Sequence, residues 1–206
     1  METIVYLIRH SEKYREVNFL EDMDSFQLIN EKTILSVNGE KKAKKLSENE
    51  ELKDIDVVIS SNYSRSMQTA KYIADKNNKE LNIISSFGER ELGINSDDEV
   101  DDDILNKQIK DINYKIKNGE SRQDVIIRMY NALIKVIKKY EGKKIVIVSH
   151  ATAMLYLLMY LTNSTDGNVY FDNKQIIDIN YKWDAPELFK LIFKKEKLIS
   201  LKKIKI

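Results

Sequence analysis

Two histidines, His10 and His150, are the only ones in this chain of 206 residues, and each directly follows a short apolar run. Arg9 precedes the first histidine, and Arg65 lies shortly after another apolar run. A neutral imidazole is a competent nucleophile, and the planar guanidinium of arginine binds phosphate oxygens through paired hydrogen bonds. These residue types therefore favour chemistry on a phosphate or a similar oxyanion.

A carboxylate in the middle of the chain is a candidate for proton transfer. Glu89 lies in the polar segment 88–93, which follows a weaker apolar stretch over residues 81–84. A positioned carboxyl group donates a proton to a leaving group and later accepts one from water. Glu91 lies two residues further on and is a rival for the same role.

Apolar runs rich in β-branched residues predict the elements that position these groups. Residues 3–8, 54–59 and 144–149 have the composition of strands buried on both faces. Helical patterns follow them, and strands that alternate with helices predict a mainly parallel sheet. Because ligands bind at the carboxyl ends of the strands in such a sheet, we expect the polar groups to share one edge. The predicted helices cover about residues 37–47, 65–76, 152–161 and a long segment that opens at Ser121.

The C-terminal part of the chain has a different pattern. Residues 188–194 and 198–204 predict a hairpin, and the apolar–polar alternation over residues 177–183 predicts a one-sided strand. Residues 14–33 show no clear periodicity. The predicted fold is α/β: a three-layer sandwich with a mainly parallel central sheet, helices on both faces and antiparallel C-terminal strands. We expect one domain over residues 1–206.

Composition narrows the classes of partner. Lysine plus arginine (34) nearly balances aspartate plus glutamate (33), and a net charge of +1 gives no general attraction to nucleic acid or to an anionic membrane. The absence of cysteine excludes disulfides and thiolate catalysis. The longest apolar run, over about residues 153–161, is too short to span a bilayer. We expect a cytoplasmic protein, and the oligomeric state stays open.

Six short motifs stand in order along residues 3–160: Arg9-His10-Ser11-Glu12, Leu35-Ser36-Val37-Asn38-Gly39, the segment 60–70, Glu89 with Gly93, Gly119-Glu120-Ser121, and Val148-Ser149-His150. Each is similar to a motif of the histidine phosphatase superfamily, the phosphoglycerate-mutase-like proteins. The first resembles that family's Arg-His-Gly-Glu signature. One such motif alone is weak, but six in register are specific.

The resemblance implies a role for each candidate. His10 is the implied nucleophile, which forms a phosphohistidine. Arg9, Arg65 and His150 are the implied ligands of the phosphoryl group, and Glu89 is the implied proton donor. No metal or other cofactor is implied, and the expected substrate is a phosphorylated small molecule or a phosphoprotein. His150 is expected to act as an imidazolium that stabilises the equatorial oxygens.

The sequence departs from the family pattern at several positions. Ser11 and Ala151 replace glycines, and Glu16 stands where mutases carry an asparagine. The distance to Gly93 favours Glu89 over Glu91 as the acid.

Three functional hypotheses follow. A metal-independent phosphomonoesterase is favoured, with a phosphoglycerate-mutase-type phosphotransferase as the nearest alternative. A catalytically silent phosphate-binding module is the third. In the family, the region that corresponds to residues 94–118 forms part of a lid over the substrate, and here it carries an acidic run over residues 97–103, so the leaving group is not specified.

Overall fold

A computed structural model describes residues 1–14, 25–94, 99 and 103–206. In these residues the central sheet has six strands in the order β3-β2-β4-β1-β7-β8. Strands β3, β2, β4 and β1 run parallel to one another, whereas β7 pairs antiparallel with β1 and with β8. This sheet confirms the predicted α/β fold class, including the antiparallel strands at the C-terminus. The strands are β1 (Glu2–Arg9), β2 (Val57–Ser60), β3 (Leu81–Ile83), β4 (Lys144–Ser149), β5 (Val169–Phe171), β6 (Lys174–Ile177), β7 (Glu187–Lys194) and β8 (Lys197–Ile204).

Helices cover both faces of the sheet because its central strands carry apolar residues on both sides. On β1, Val5 and Leu7 belong to the core shared with α5 and α6, whereas Tyr6 and Ile8 belong to the core shared with α2 and α3. These alternating contacts give the three layers that the sequence predicted. The helices are α1 (Phe26–Lys32), α2 (Val37–Ser47), α3 (Ser64–Lys76), α4 (Ile104–Lys110), α5 (Arg122–Lys139) and α6 (Ala151–Thr162).

The start of helix α5 follows directly from its sequence. The Ser121 hydroxyl accepts a hydrogen bond from the backbone N–H of Asp124, and the Asp124 carboxylate accepts one from the backbone N–H of Ser121. This reciprocal pair is a capping box. It fixes the point at which the chain leaves the Gly119-Glu120-Ser121 motif and enters the helix. None of the described helices has the length and apolarity needed to cross a membrane.

The expected strand over residues 177–183 is wrong beyond its first residue. Strand β6 ends at Ile177. The chain then turns because Asp178 accepts hydrogen bonds from the backbone N–H groups of residues that follow it. Its side chain accepts the N–H of Asn180 at 2.8 Å, and its carbonyl accepts that of Tyr181 at 2.9 Å. Such a local aspartate turn competes with a strand ladder, and alternation alone cannot reveal it.

Helix α1 lies in a stretch where the sequence showed no periodicity. Ser25 caps its first turn by accepting the N–H of Leu28. No residue of the helix is fully buried, so it has no apolar stripe for a periodicity argument to detect. Residues 15–24, which include Glu16, lie outside the described residues, as does most of the acidic run.

Candidate active site

The two histidines meet because β1 and β4 are neighbours in the sheet. Arg9 pairs with Ser149 in the parallel register, and the backbone N–H of His10 continues the ladder by donating to the Ser149 carbonyl at 3.0 Å. The centroids of the His10 and His150 rings lie 5.0 Å apart. Both side chains are buried, with 6% and 0% of their residue surface exposed.

His10 is held as a neutral imidazole by hydrogen bonds at both ring nitrogens. Its Nδ1 lies 2.6 Å from the Ser11 carbonyl, which can only accept, so Nδ1 carries the proton. Its Nε2 accepts a hydrogen bond from Arg65 Nε at 3.0 Å. Burial, followed by the charge of Arg65, lowers the pKa of His10 well below its usual value. This tautomer leaves Nε2 as the nucleophilic atom.

His150 is also neutral in this arrangement. Its Nε2 lies 2.9 Å from Ser61 Oγ, and its Nδ1 faces an N–H of Arg65 at 3.3 Å. Burial, then the nearby His10 and Arg65, lower the pKa of His150 well below its usual value. The Tyr63 ring packs edge-on against it at 4.4 Å. The imidazolium expected from the sequence is therefore not the form that this pocket favours when it contains only protein groups.

Arg65 joins both imidazoles from the first turn of α3. It is 3% exposed, and besides the two ring nitrogens its guanidinium donates to the Asn30 carbonyl in α1. The guanidinium also lies over the Tyr63 ring, 4.8 Å from the centroid. Burial lowers the pKa of Arg65, and the charge of Glu89 acts in the opposite direction. Arg65 is thus a fixed cation at the centre of the pocket.

Arg9 reaches the same edge from the last residue of β1. One of its terminal nitrogens donates to the carbonyls of Trp183 and Asp184, at 2.6 and 3.0 Å. Burial lowers the pKa of Arg9, and the charges of Glu89 and then Glu187 raise it. The segment that follows β6 therefore fixes this guanidinium, although the sequence predicted a strand there.

The Glu89 side chain lies against the first turn of α6, the helix that begins directly after His150. Its Oε1 accepts the backbone N–H of Ala153 at 2.9 Å and that of Arg90 at 2.9 Å. Its Oε2 faces the N–H of Thr152 at 3.4 Å. A helix N-terminus favours a negative group at this position. Because Glu89 acts electrostatically on both Arg9 and Arg65, it belongs to the same pocket.

Glu91, the rival carboxylate, is exposed and lies two residues after Glu89 in the chain. Partial desolvation, then the charge of Glu120, raise the pKa of Glu91. Glu89 and Glu91 both line a small cleft of about 190 Å³ together with Glu31, Asn62 and Tyr63. Only Glu89 is bonded to the helix that starts at the second histidine, so the geometry favours it as the acid.

Two glycines bring the Glu89 segment against the start of α5. Gly93 has a φ of +71°, and a Cβ there would lie 2.1 Å from the backbone nitrogen of Gly119. A Cβ on Gly119 would lie 2.4 Å from the Leu92 carbonyl oxygen. These distances are far below any real contact, so both motifs require glycine for the same close approach.

The serine in the first motif is accommodated. Ser11 is fully buried; its hydroxyl donates to the Gly39 carbonyl at 2.7 Å, and its N–H donates to Thr69 Oγ1 at 3.0 Å. It therefore links the loop after β1 to α2 and α3 through its side chain and N–H, and its contact with His10 Nδ1 comes from its backbone carbonyl.

Five predicted residues thus surround one pocket: Arg9, His10, Arg65, Glu89 and His150. Sequence reasoning missed the residues that hold them. Ser61 and Tyr63 lie inside the quoted segment 60–70, and their place just after β2 was the available signal. Asn30 contributes only a backbone carbonyl, which no side-chain pattern could indicate. Of the described histidine, aspartate and glutamate residues, no three are grouped in a way that could hold a metal ion.

The fold and the pocket match one class of protein. The sequence profile of the histidine phosphatase superfamily (branch 1) matches residues 5–191. The chain belongs to this superfamily, and the family assignment made from six motifs is confirmed.

The relatives carry names of two activities. The Enterobacter sp. (strain 638) protein named "Probable phosphoglycerate mutase GpmB" is 27% identical over 161 residues, which are 73% of this chain and 70% of the relative. The mycobacterial glucosyl-3-phosphoglycerate phosphatase superposes with a TM-score of 0.71 at 15% identity, over 98% of this chain and 97% of that one. A phosphoserine phosphatase from Entamoeba histolytica gives 0.68 at 23% identity, over 97% and 96%. At these identities the two structures establish the fold alone.

Proposed function

We propose that this protein is a metal-independent phosphomonoesterase that acts through a phosphohistidine on His10. The observation that carries the proposal is the state of that ring: a neutral imidazole whose Nε2 lone pair is held by Arg65 beside a second buried imidazole. Phosphoryl transfer depends on positioning and on charge stabilisation. The groups that lie at the edge of the sheet meet both requirements.

In the first step, His10 Nε2 attacks phosphorus and the bond from phosphorus to the leaving oxygen breaks. The leaving oxygen takes a proton from the Glu89 carboxyl group and departs as an alcohol. Arg9 and Arg65 bind the phosphoryl oxygens and offset their negative charge, and the neutral His150 contacts the same oxygens. Arg65 already donates to Nε2, so it has only a short distance to move to a phosphoryl oxygen.

In the second step, water attacks the phosphohistidine and the bond between phosphorus and Nε2 breaks. The Glu89 carboxylate accepts the proton of that water, and inorganic phosphate leaves with His10 neutral again. Glu89 thereby recovers the proton that it gave up in the first step. Both steps balance with water as the only co-substrate.

A phosphoglycerate-mutase-type phosphotransferase is the second candidate, because the Enterobacter relative carries that name. It shares the first step and differs in the acceptor, which is a second hydroxyl group instead of water. Phosphatase is preferred because Glu16 stands where mutases carry an asparagine. The substrate belongs to the phosphate monoesters, either a small molecule or a phosphoprotein.

The test is to trap the phosphoenzyme. The protein is mixed with a radiolabelled phosphate monoester in the presence of a chelator and quenched rapidly. We expect label that is labile to acid and stable to base, release of inorganic phosphate, and loss of both in His10→Ala. Transfer of the label to an added hydroxyl acceptor in place of water would favour the mutase. A folded protein without turnover on a broad panel of esters would refute both.

A further inference from the structure

Arg128, in the second turn of α5, uses every hydrogen-bond donor of its guanidinium. Its Nε and one terminal nitrogen bind the two carboxylate oxygens of Glu120, at 2.6 and 2.8 Å. The remaining donors bind three backbone carbonyls of one short segment, those of Ser86 at 2.8 Å, Gly88 at 3.0 Å and Glu89 at 3.0 Å. A guanidinium has five such donors, so this side chain is saturated.

The three carbonyls lie in a segment that has no strand partner for them. The chain leaves the short 3-10 turn Ser85–Phe87 and crosses to Gly93 without regular structure. Glu120 binds the other end of this crossing. Its Oε2 accepts the N–H of Glu91 at 3.0 Å, and its own N–H donates to the Glu91 carbonyl at 2.8 Å. The pair Arg128 and Glu120 therefore holds the segment from both ends.

The salt bridge between Arg128 and Glu120 has a well-defined geometry. Its two side chains are only 22% and 18% exposed, and a bidentate pair between arginine and a carboxylate is the most directional kind of salt bridge. Lysine at this position could not bind Glu120 and three carbonyls at once, because its ammonium group has only three donors.

We infer that Arg128 and Glu120 are positioning residues for Glu89, which they hold at the start of α6 through the backbone of residues 86–91. This inference rests on the proposed function, in which Glu89 is the proton donor. Neither residue needs to touch the substrate, because each acts on where the Glu89 carboxyl group lies. An error of about 1 Å in such a position reduces a rate by about 100-fold.

The test compares two substrates that differ in their need for a proton. Phenyl phosphate has a poor leaving group, and dinitrophenyl phosphate has one that departs without protonation. We expect Arg128→Lys to reduce kcat/KM about 30-fold or more on phenyl phosphate, within the range of general acid catalysis, and by less than about threefold on the activated ester. In a Glu89→Gln background, Arg128→Lys should add almost nothing on either substrate.

The matched control is Arg122→Lys, the same substitution on the same helix. Arg122 is buried, and in the described residues it makes no hydrogen bond to the segment 86–91, so we expect both substrates to be unaffected. Glu120→Gln weakens the hydrogen bonds that the Glu120 carboxylate makes to Arg128 and to the N–H of Glu91. It should give the same selective loss of kcat/KM on phenyl phosphate, but a smaller one. This variant keeps the inference testable if Arg128→Lys does not fold.

The outcomes separate the two claims. If Glu89→Gln is selective for the poor leaving group and neither Arg128→Lys nor Glu120→Gln is, only the positioning inference is overturned. Equal losses on both substrates, or additive losses in the Glu89→Gln background, also overturn it. If Glu89→Gln itself shows no selectivity, the proton-donor role fails, and the positioning inference fails with it.

Discussion

Gly119→Ala tests how closely the two glycine motifs must approach. The added Cβ would lie 2.4 Å from the Leu92 carbonyl oxygen and 2.5 Å from its carbon. Ordinary contact begins at about 3.4 Å, so the two segments must separate by about 1 Å (3.4 minus 2.4). The clashing atoms are backbone, so no side-chain rotation relieves them. Gly119 does not have a positive φ, so the effect is one of space alone.

The size of the effect follows from that displacement. Overpacking of this kind costs about 1–3 kcal/mol of unfolding free energy. For a chain of this length, a loss of about 2 kcal/mol lowers the Tm by about 4–8 °C. The segment that moves carries Glu89 three residues before Leu92, and a displacement of about 1 Å reduces turnover by about 100-fold. We expect both losses together.

The assay measures kcat/KM on phenyl phosphate beside the Tm of each variant. Gly142→Ala is the matched control, because it adds a methyl group at a glycine with a φ of +78°, where alanine is strained. Gly142 precedes β4, so it lies at the opposite end of that strand from His150. It should lose stability and keep its turnover. A Gly119→Ala protein with wild-type turnover would refute the account of the close approach.

Two further predictions concern the buried polar groups. Because the pKa values of His10 and His150 are depressed in the folded state, unfolding takes up protons, so stability falls as the pH drops below about 6.5. Between pH 6.5 and 5.5 each histidine should remove about 1 kcal/mol, and urea titrations of His10→Gln should lack its share; an unchanged pH slope contradicts this. Ser11→Ala, which loses the bond to Gly39, should cost about 1 kcal/mol in the same titration and keep its turnover.

The parts of the fold that follow from local pattern were predictable. Strands β1 and β4 are buried on both faces, so their apolar runs end abruptly where the core ends, at His10 and His150. Knowing that two parallel strands share an edge was then enough to bring the rings together. The sequence did not predict that β1 and β4 are direct neighbours in the sheet; the structure shows that they are.

The parts that depend on backbone contacts were not predictable. Arg128 is followed along α5 by polar and apolar residues in an ordinary helical pattern, and nothing in its spacing shows that its guanidinium meets three carbonyls. The carbonyl of Asn30 reaches Arg65 from α1, a helix without a buried face. Any residue type could supply that carbonyl, so the residue type carries no signal.

The two glycine replacements bear on whether the chemistry has been lost. The Ser11 hydroxyl is bound by Gly39 in α2, and Ala151 is the first residue of α6, where alanine favours the helix. Neither replacement therefore displaces a ring nitrogen or a guanidinium. A module that only binds phosphate needs cations, and it has no need for a neutral imidazole whose Nε2 is kept unprotonated. Because His10 keeps that tautomer through its bonds to Ser11 and Arg65, a silent scaffold explains less of the pocket than an enzyme does.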